Sequence, residues 1–231
     1  MYNRFDYIAS EQEFLELQET LGLVDLDKAQ LSPRCNIPPT TQIDIVRAVD
    51  DSNKLSIARW GLIPSWHKPG EKPLPLFNAR SETAATKPSF RTAFKKHRCI
   101  IPASGFYEWK TVGKEKFPYF IRMKTGLMPF AGLWERWEST DGPVKSAAIL
   151  TTSSNMLVGA LHDRMPCILS PAQFSQWLDP KEQTADGLVP LLQPFAPERM
   201  EMWPVDHRVN SVKGGNDAGL IERVGGTRGE Q

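Results

Sequence analysis

The chain has 231 residues, enough to bury a sizeable core, and 40% are hydrophobic, so a disulfide framework is not needed for stability. Its 28 Lys and Arg stand against 27 Asp and Glu, which excludes nucleic-acid binding driven by the whole-molecule field and leaves only local clusters of basic residues. The three cysteines, Cys35, Cys99 and Cys167, lack Cys-x-x-Cys spacing and fit free thiols in a reducing compartment.

In chain order, Ser10-x-x-Glu13 reads as a capping box. Phe14, Leu17 and Leu21 follow at helical spacing and Gly22 offers a left-handed stop, so the pattern predicts a helix over 10–21. Residues 24–40 read as loop. Ile43–Val49 and Leu55–Leu62 read as strands joined by a turn at Asp50-Asp51-Ser52-Asn53, and 64–75 is Pro-rich loop. Residues 81–96 have helical composition broken near Pro88. Four β-like runs follow: Cys99–Trp109, Pro118–Lys124, Phe130–Trp134 and Ala147–Thr152, with a hairpin turn at Val112-Gly113-Lys114. Ser170-Pro171 starts another helix, and Trp203–Val205 is a short strand.

Strands outnumber helices and cluster in the middle, which predicts an α+β fold: a single compact domain, mainly an antiparallel sheet or barrel with flanking helices. No linker or repeat divides the chain, so one domain over 1–224 and a flexible polar tail over 225–231 are expected. No apolar run of ~18 residues suggests a membrane span and no signal peptide is recognisable, so a cytoplasmic protein is expected, acting as a monomer. The four histidines and three cysteines show no ligand spacing, and His-Glu-x-x-His and Gly-x-Ser-x-Gly are absent. Neither a metal, a cofactor nor a serine-hydrolase site is expected.

Several residues could carry chemistry. Glu108 lies in Phe106-Tyr107-Glu108-Trp109, an apolar setting that favours a protonated carboxyl, unless it is the outward-facing residue of an alternating strand. His162 precedes Asp163, Arg164 and a Met-Pro turn, and imidazole suits proton transfer near neutral pH, although a lone histidine is more often a packed or solvated residue. Asn78 and Arg80, two apart, share a face if extended, where an amide and a guanidinium can hold a sugar hydroxyl and a phosphate. Arg91, Lys95, Lys96 and Arg98 are interleaved with Phe90 and Phe94, either a DNA-facing patch or a solvated helix face. Trp66, in a Pro-rich loop, is a candidate stacking platform.

Met1-Tyr2-Asn3-Arg4-Phe5, Phe77-Asn78-Ala79-Arg80-Ser81-Glu82, Gly105-Phe106-Tyr107-Glu108-Trp109 and Leu161-His162-Asp163-Arg164-Met165-Pro166 together resemble the SOS response-associated peptidase family. Arg34-Cys35-Asn36-Ile37, Trp60-Gly61-Leu62-Ile63-Pro64 and Trp203-Pro204-Val205 extend the match over nearly the whole chain, with Cys35 where the family usually has an aromatic. The resemblance implies a mixed barrel with a DNA groove and recognition of abasic sites in single-stranded DNA during the DNA damage response. It also implies catalytic roles at positions 2, 78, 108 and 162, and DNA contacts from Arg4, Asn36, Trp66, Arg80 and Arg164.

The family's nucleophile is a Cys at position 2, whose amine and thiol close a stable ring on the abasic aldehyde; this chain has Tyr2, followed by Asn3 in place of the family's Gly. A phenol cannot close that ring, but an amine alone can still form an imine. Lesion binding with altered covalent chemistry is therefore expected, with a non-covalent single-stranded DNA module or a peptidase-type hydrolase as alternatives. Whether the chain is an enzyme, with lyase-like or peptidase activity, stays open at the level of sequence.

Overall fold

The computed structural model describes residues 4–8, 10–23, 33–74, 76–182, 184–212 and 217–225. Tyr2 and Asn3 lie outside the described residues, as does most of the expected C-terminal tail.

The strands are β1 (Phe5–Tyr7), β2 (Arg34–Ile37), β3 (Gln42–Val49), β4 (Ser52–Trp60), β5 (Asn78–Arg80), β6 (Arg98–Ala103), β7 (Gly105–Val112), β8 (Glu115–Met123), β9 (Met128–Ser139), β10 (Gly142–Ser153), β11 (Arg164–Pro166) and β12 (Met200–Pro204). Short helices flank them: α1 (Glu11–Leu21), α2 (Ser81–Ala84), α3 (Arg91–Lys96), α4 (Phe174–Leu178) and α5 (Ala185–Leu188). The fold is α+β and mostly antiparallel, as the sequence pattern predicts. β3, β4, β10, β9 and β6 pair in turn, and β6 pairs back to β3, so these five strands close a barrel with no free edge. β5 and β11 both add to β10. A second sheet runs in the order β12-β8-β7-β1-β2.

Several local signals act as read. The Ser10–Glu13 capping box is present, and Gly22 ends α1 in the left-handed region at φ 58°. Asp50 and Asp51 both adopt positive φ, 46° and 61°, which matches the right-handed twist of a two-residue hairpin between β3 and β4. Cys99 and Cys167 are core residues. The differences have physical causes. Residues 34–37, read as loop, form β2, because β1 supplies a partner that no local pattern announces. The run Cys99–Trp109, read as one strand, is two strands divided at Ser104, one in each sheet. The helix expected at Ser170 is a 3-10 turn at Pro171–Gln173 continued by α4.

Arg98, part of the basic run, is not on the surface. It is buried, and its guanidinium donates to the carbonyls of Phe94 at 2.8 Å, Lys95 at 2.7 Å, Trp177 at 2.6 Å and Glu182 at 2.8 Å, and also to that of Asp179. It thereby ties the C-terminal end of α3 to that of α4 and to the loop that follows it. Arg91, Lys95 and Lys96 stay exposed on α3.

The barrel interior and the inner face of the second sheet form one core, in which Phe5 meets Trp60 edge-on at 5.1 Å and Phe130 at 6.0 Å. A smaller cluster of Tyr107, Phe120, Val205, Val209 and Leu220 packs the C-terminal segment onto the other face of the second sheet. Gly105 sits between these layers, paired with Asp6. A Cβ there would press on the Phe120 ring and lie 2.6 Å from the Ile121 carbonyl oxygen, a backbone atom that cannot step aside. Gly105→Ala is expected to lower stability by about 1–3 kcal/mol through overpacking; a urea midpoint unchanged from the parent chain would contradict this packing.

Candidate active-site groove

β7 alternates across the second sheet. Tyr107 and Trp109 face the smaller cluster, while Phe106 and Glu108 face the barrel side. Glu108 is therefore 4% exposed, and its Oε1 has no hydrogen-bond partner among the described residues. Burial pushes its carboxyl above the ordinary range, and the neighbouring His162 pulls it part of the way back. A buried carboxyl of this kind holds a proton at pH values where an exposed one would have lost it.

A groove of about 530 Å³ opens over Glu108. Its walls are Arg4 before β1, Glu108, Trp109 and Thr111 on β7, Lys116 on β8, Leu161 and His162 before β11, and Asn210. Trp109 Nε1 donates to Asn210 Oδ1 at 2.7 Å, which fixes the indole as one side of the groove.

His162 has two competing partners for one nitrogen. Its Nδ1 accepts the backbone N–H of Arg164 at 3.0 Å and also lies 2.9 Å from Asp163 Oδ1. The backbone bond requires an unprotonated Nδ1, so the neutral ring carries its proton on Nε2. The protonated ring instead turns Nδ1 into a donor toward Asp163. Nδ1 cannot accept from Arg164 and donate to Asp163 at once, so only one of these contacts is a hydrogen bond in a given tautomer. A protonated carboxyl and an imidazole in one groove can give and take protons at a bound substrate.

The residues singled out in the sequence fall into distinct places. Arg4, Glu108 and His162 line the same groove. Asn78 and Arg80 lie on β5, paired with Ile149 and Thr151 of β10, whose Ser153 pairs with Arg164 of β11; this group does not line the groove and connects to it through His162, two residues before Arg164. Arg164 is committed within the protein. It grips Glu82 in a bidentate pair at 2.6 and 2.9 Å and donates to the Thr151 carbonyl at 2.6 Å, tying α2 to β10 and β11. The same pairing holds the Glu82 carboxyl below its ordinary value.

Asn36, expected as a DNA contact, is buried. Its Nδ2 donates to the carbonyls of Val209 and Ser211, both at 3.1 Å, so it holds the segment that presents Asn210. Trp66 is 58% exposed in the loop after β4, as a platform would be, but it is not part of the groove wall. Sequence reasoning missed Trp109, Thr111, Lys116, Leu161 and Asn210 as wall residues. Trp109 was adjacent to a residue already marked. Asn210 gave no local signal, because distant residues bring it there: Asn36, 174 positions away, holds the flanking carbonyls, and Val209 packs against Tyr107 and Phe120. Among the described residues no cluster of His, Cys, Asp and Glu could hold a metal, and no helix is long and apolar enough to cross a membrane.

Residues 1–212 match the family described as SOS response associated peptidase (SRAP). The chain is 42% identical over 200 residues to the abasic site processing protein YoqW of Bacillus subtilis, covering 85% of this chain and 89% of that one. It is 32% identical to the abasic site processing protein YedK of Escherichia coli, covering 83% and 85% of the two chains. Against the abasic site processing protein HMCES of Xenopus tropicalis it is also 32% identical, covering 82% of this chain and 65% of that one. A crystal structure of a protein from Bacteroides thetaiotaomicron superposes with a TM-score of 0.76 at 29% identity, covering 83% and 85% of the two chains.

The raised Glu108 carboxyl has a stability consequence. Its folded-state value lies above the unfolded one, so its contribution is full at low pH and is lost as pH rises through the folded value. Glu108→Gln, which mimics the protonated form, is expected to be more stable than the parent chain at pH 8, by roughly 1 kcal/mol, and equal to it at pH 4. Melting curves at the two pH values check this; a variant that is less stable at pH 8 would contradict the placement of Glu108.

Proposed function

The chain belongs to the SOS response associated peptidase family, and from that membership we propose that it recognises abasic sites in single-stranded DNA during the response to DNA damage. The relatives that it matches are named as abasic site processing proteins. The observation that carries the reading is the route of the chain. The Arg4 carbonyl accepts the Tyr107 N–H at 3.1 Å, one residue from Glu108, so Arg4, to which the segment carrying Tyr2 is joined, is held at the mouth of the groove. Three residues span at most about 10 Å, which keeps that segment within reach of a substrate lying against Glu108 and His162.

The abasic sugar opens to an aldehyde. An amine carried by the segment before Arg4 adds to its C1, and loss of water leaves an imine; Tyr2 offers no thiol to close that imine into a stable ring. Glu108 in its protonated form gives a proton to the departing hydroxyl, and His162 takes up the proton that the amine releases. The product is reversible, unlike the ring expected for family members with Cys at position 2. Asn78 and Arg80, connected to the groove through Arg164 and His162, hold the sugar and a flanking phosphate. Arg4 and Lys116, which line it, neutralise further phosphates. Arg164 and Asn36 act as struts for these walls. The groove is complete within one chain, so a monomer suffices. Tyr2 equally favours a second reading, a binding module that grips the lesion without covalent chemistry.

Fluorescence anisotropy with a single-stranded oligonucleotide tests this function directly. Tighter binding when one nucleotide is abasic is expected, with a salt slope that loses about 0.7 in each of Arg4→Ala and Lys116→Ala. Equal affinity for intact and abasic strands would remove lesion recognition, and unchanged slopes in both variants would remove these contacts. In addition, Tyr2→Cys with Asn3→Gly is expected to give a protein–DNA band that survives heating without any reductant, where the parent chain gives none.

A further inference from the structure

One carboxylate near the groove is not explained by the chemistry above. Asp6, at the centre of β1, is fully buried and makes no ion pair among the described residues. Its Oδ2 accepts the Tyr107 hydroxyl at 2.7 Å, and its Oδ1 accepts the Asn36 backbone N–H. Each bond leads to a wall of the groove. Tyr107 precedes Glu108 on β7 and donates its own N–H to the Arg4 carbonyl. Asn36, held in the left-handed region at φ 51°, passes its side-chain amide to the carbonyls of Val209 and Ser211, which flank Asn210, the partner of Trp109.

We propose that Asp6 is a positioning residue for abasic-site recognition, whose ionised carboxylate clamps β1 to β2 and β7 and so sets Arg4, Glu108 and Asn210 around one bound lesion. The proposal rests on the reading of the groove as the abasic-site pocket. Asp6 does not line the groove and touches no substrate.

Two considerations favour a functional carboxylate over a merely structural link. A neutral amide could make the same two contacts, accepting from Asn36 with its oxygen and donating to the Tyr107 hydroxyl oxygen, without a buried charge to desolvate. Moreover, charge-assisted hydrogen bonds are shorter and stronger than neutral ones, so ionisation tightens both links together. Among the described residues no cation forms an ion pair with it. The titratable groups that face it are the Tyr107 hydroxyl on β7 and the Cys35 thiol on β2, with Asp217 beyond Cys35 and Arg4 along its own strand. Burial pushes Asp6 up to about 7, against the lowering effect of its bonds to Tyr107 and Asn36. Cys35 is pushed up to about 12 by its own burial and by Asp6. Neither Cys35 nor Tyr107, which is raised further still, ionises near neutrality, so within this cluster the proton moves on Asp6.

The sign follows. The folded-state value lies above the unfolded one, so the protonated form stabilises the fold at low pH and that contribution is lost as pH rises through about 7. The clamp on the groove tightens over the same interval. A group titrating near 7 passes from about one-tenth to about nine-tenths ionised between pH 6 and pH 8.

The test compares the parent chain with Asp6→Asn for affinity toward a single-stranded oligonucleotide carrying one abasic site, by anisotropy across pH 5.5–8.5. Glu108 and His162 are present in both proteins, so the ratio isolates what the change at Asp6 does. The affinity of the parent relative to Asp6→Asn is expected to rise about ninefold from pH 6 to pH 8, with its midpoint near 7. A ratio that is flat or falls with pH, while the parent still prefers abasic over intact strands, overturns the role of Asp6 alone. A parent that shows no such preference at any pH overturns the lesion reading, and the inference with it. If Asp6→Asn does not fold, Tyr107→Phe decides. It removes the hydrogen bond that lowers Asp6, so the midpoint in the parent profile must move to higher pH; an unmoved midpoint overturns the proposal.

Discussion

A strand of three residues, Phe5–Tyr7, is hydrogen-bonded on one side to β2 and on the other to β7. All three residues are buried. Two edge-on aromatic contacts from Phe5 anchor the strand in the barrel core, and the Asp6 carboxylate anchors it from the opposite side. So short a strand has little pairing strength of its own, and its position depends on this two-sided burial. Pairing on both sides holds β1 in register and so places Arg4 at the wall of the groove. The groove's chemistry depends on that confinement more than on any single catalytic group.

The site is costly to maintain. Glu108 buries an oxygen with no hydrogen-bond partner, and Asp6 buries a carboxyl with no ion-pair partner, among the described residues. At a pH above its folded-state value either could be replaced by a neutral amide of the same shape with a gain in stability. Glu108 lies in the groove wall and Asp6 one layer behind it, and the closed barrel beneath supplies the rigidity that lets both remain. The buried Arg98 shows the opposite case: its donors are spent on backbone carbonyls, and it supports the fold without facing any ligand.

Much of this was legible in the sequence, where chemistry is local. The capping box at Ser10, the hairpin turn at Asp50-Asp51 and the apolar setting of Glu108 all rest on neighbours within a few residues. The motifs around Glu108 and His162 marked two walls of one groove. What could not be read depends on distant partners. β1, β5 and β11 are three residues each, too short to show alternation, and exist because a longer strand receives them. Arg164 and Asn36 have the residue types of DNA contacts, yet their donors go to Glu82, Thr151, Val209 and Ser211, partners that lie 13 to 175 positions away. The same distance hid Asn210 as a member of the site, whereas Lys116 reaches it across the β7–β8 hairpin, paired with Thr111.

The central claim is that the segment preceding Arg4 meets the abasic aldehyde inside the Glu108–His162 groove. Borohydride reduction of the protein mixed with an abasic single-stranded oligonucleotide, followed by tryptic mapping, tests this most directly, since reduction fixes an imine at the amine that formed it. The account expects a borohydride-dependent adduct on the peptide that ends at Arg4, much reduced in Glu108→Ala. An adduct confined to peptides beyond Arg4, or none at all under conditions where the abasic strand is bound, would contradict it.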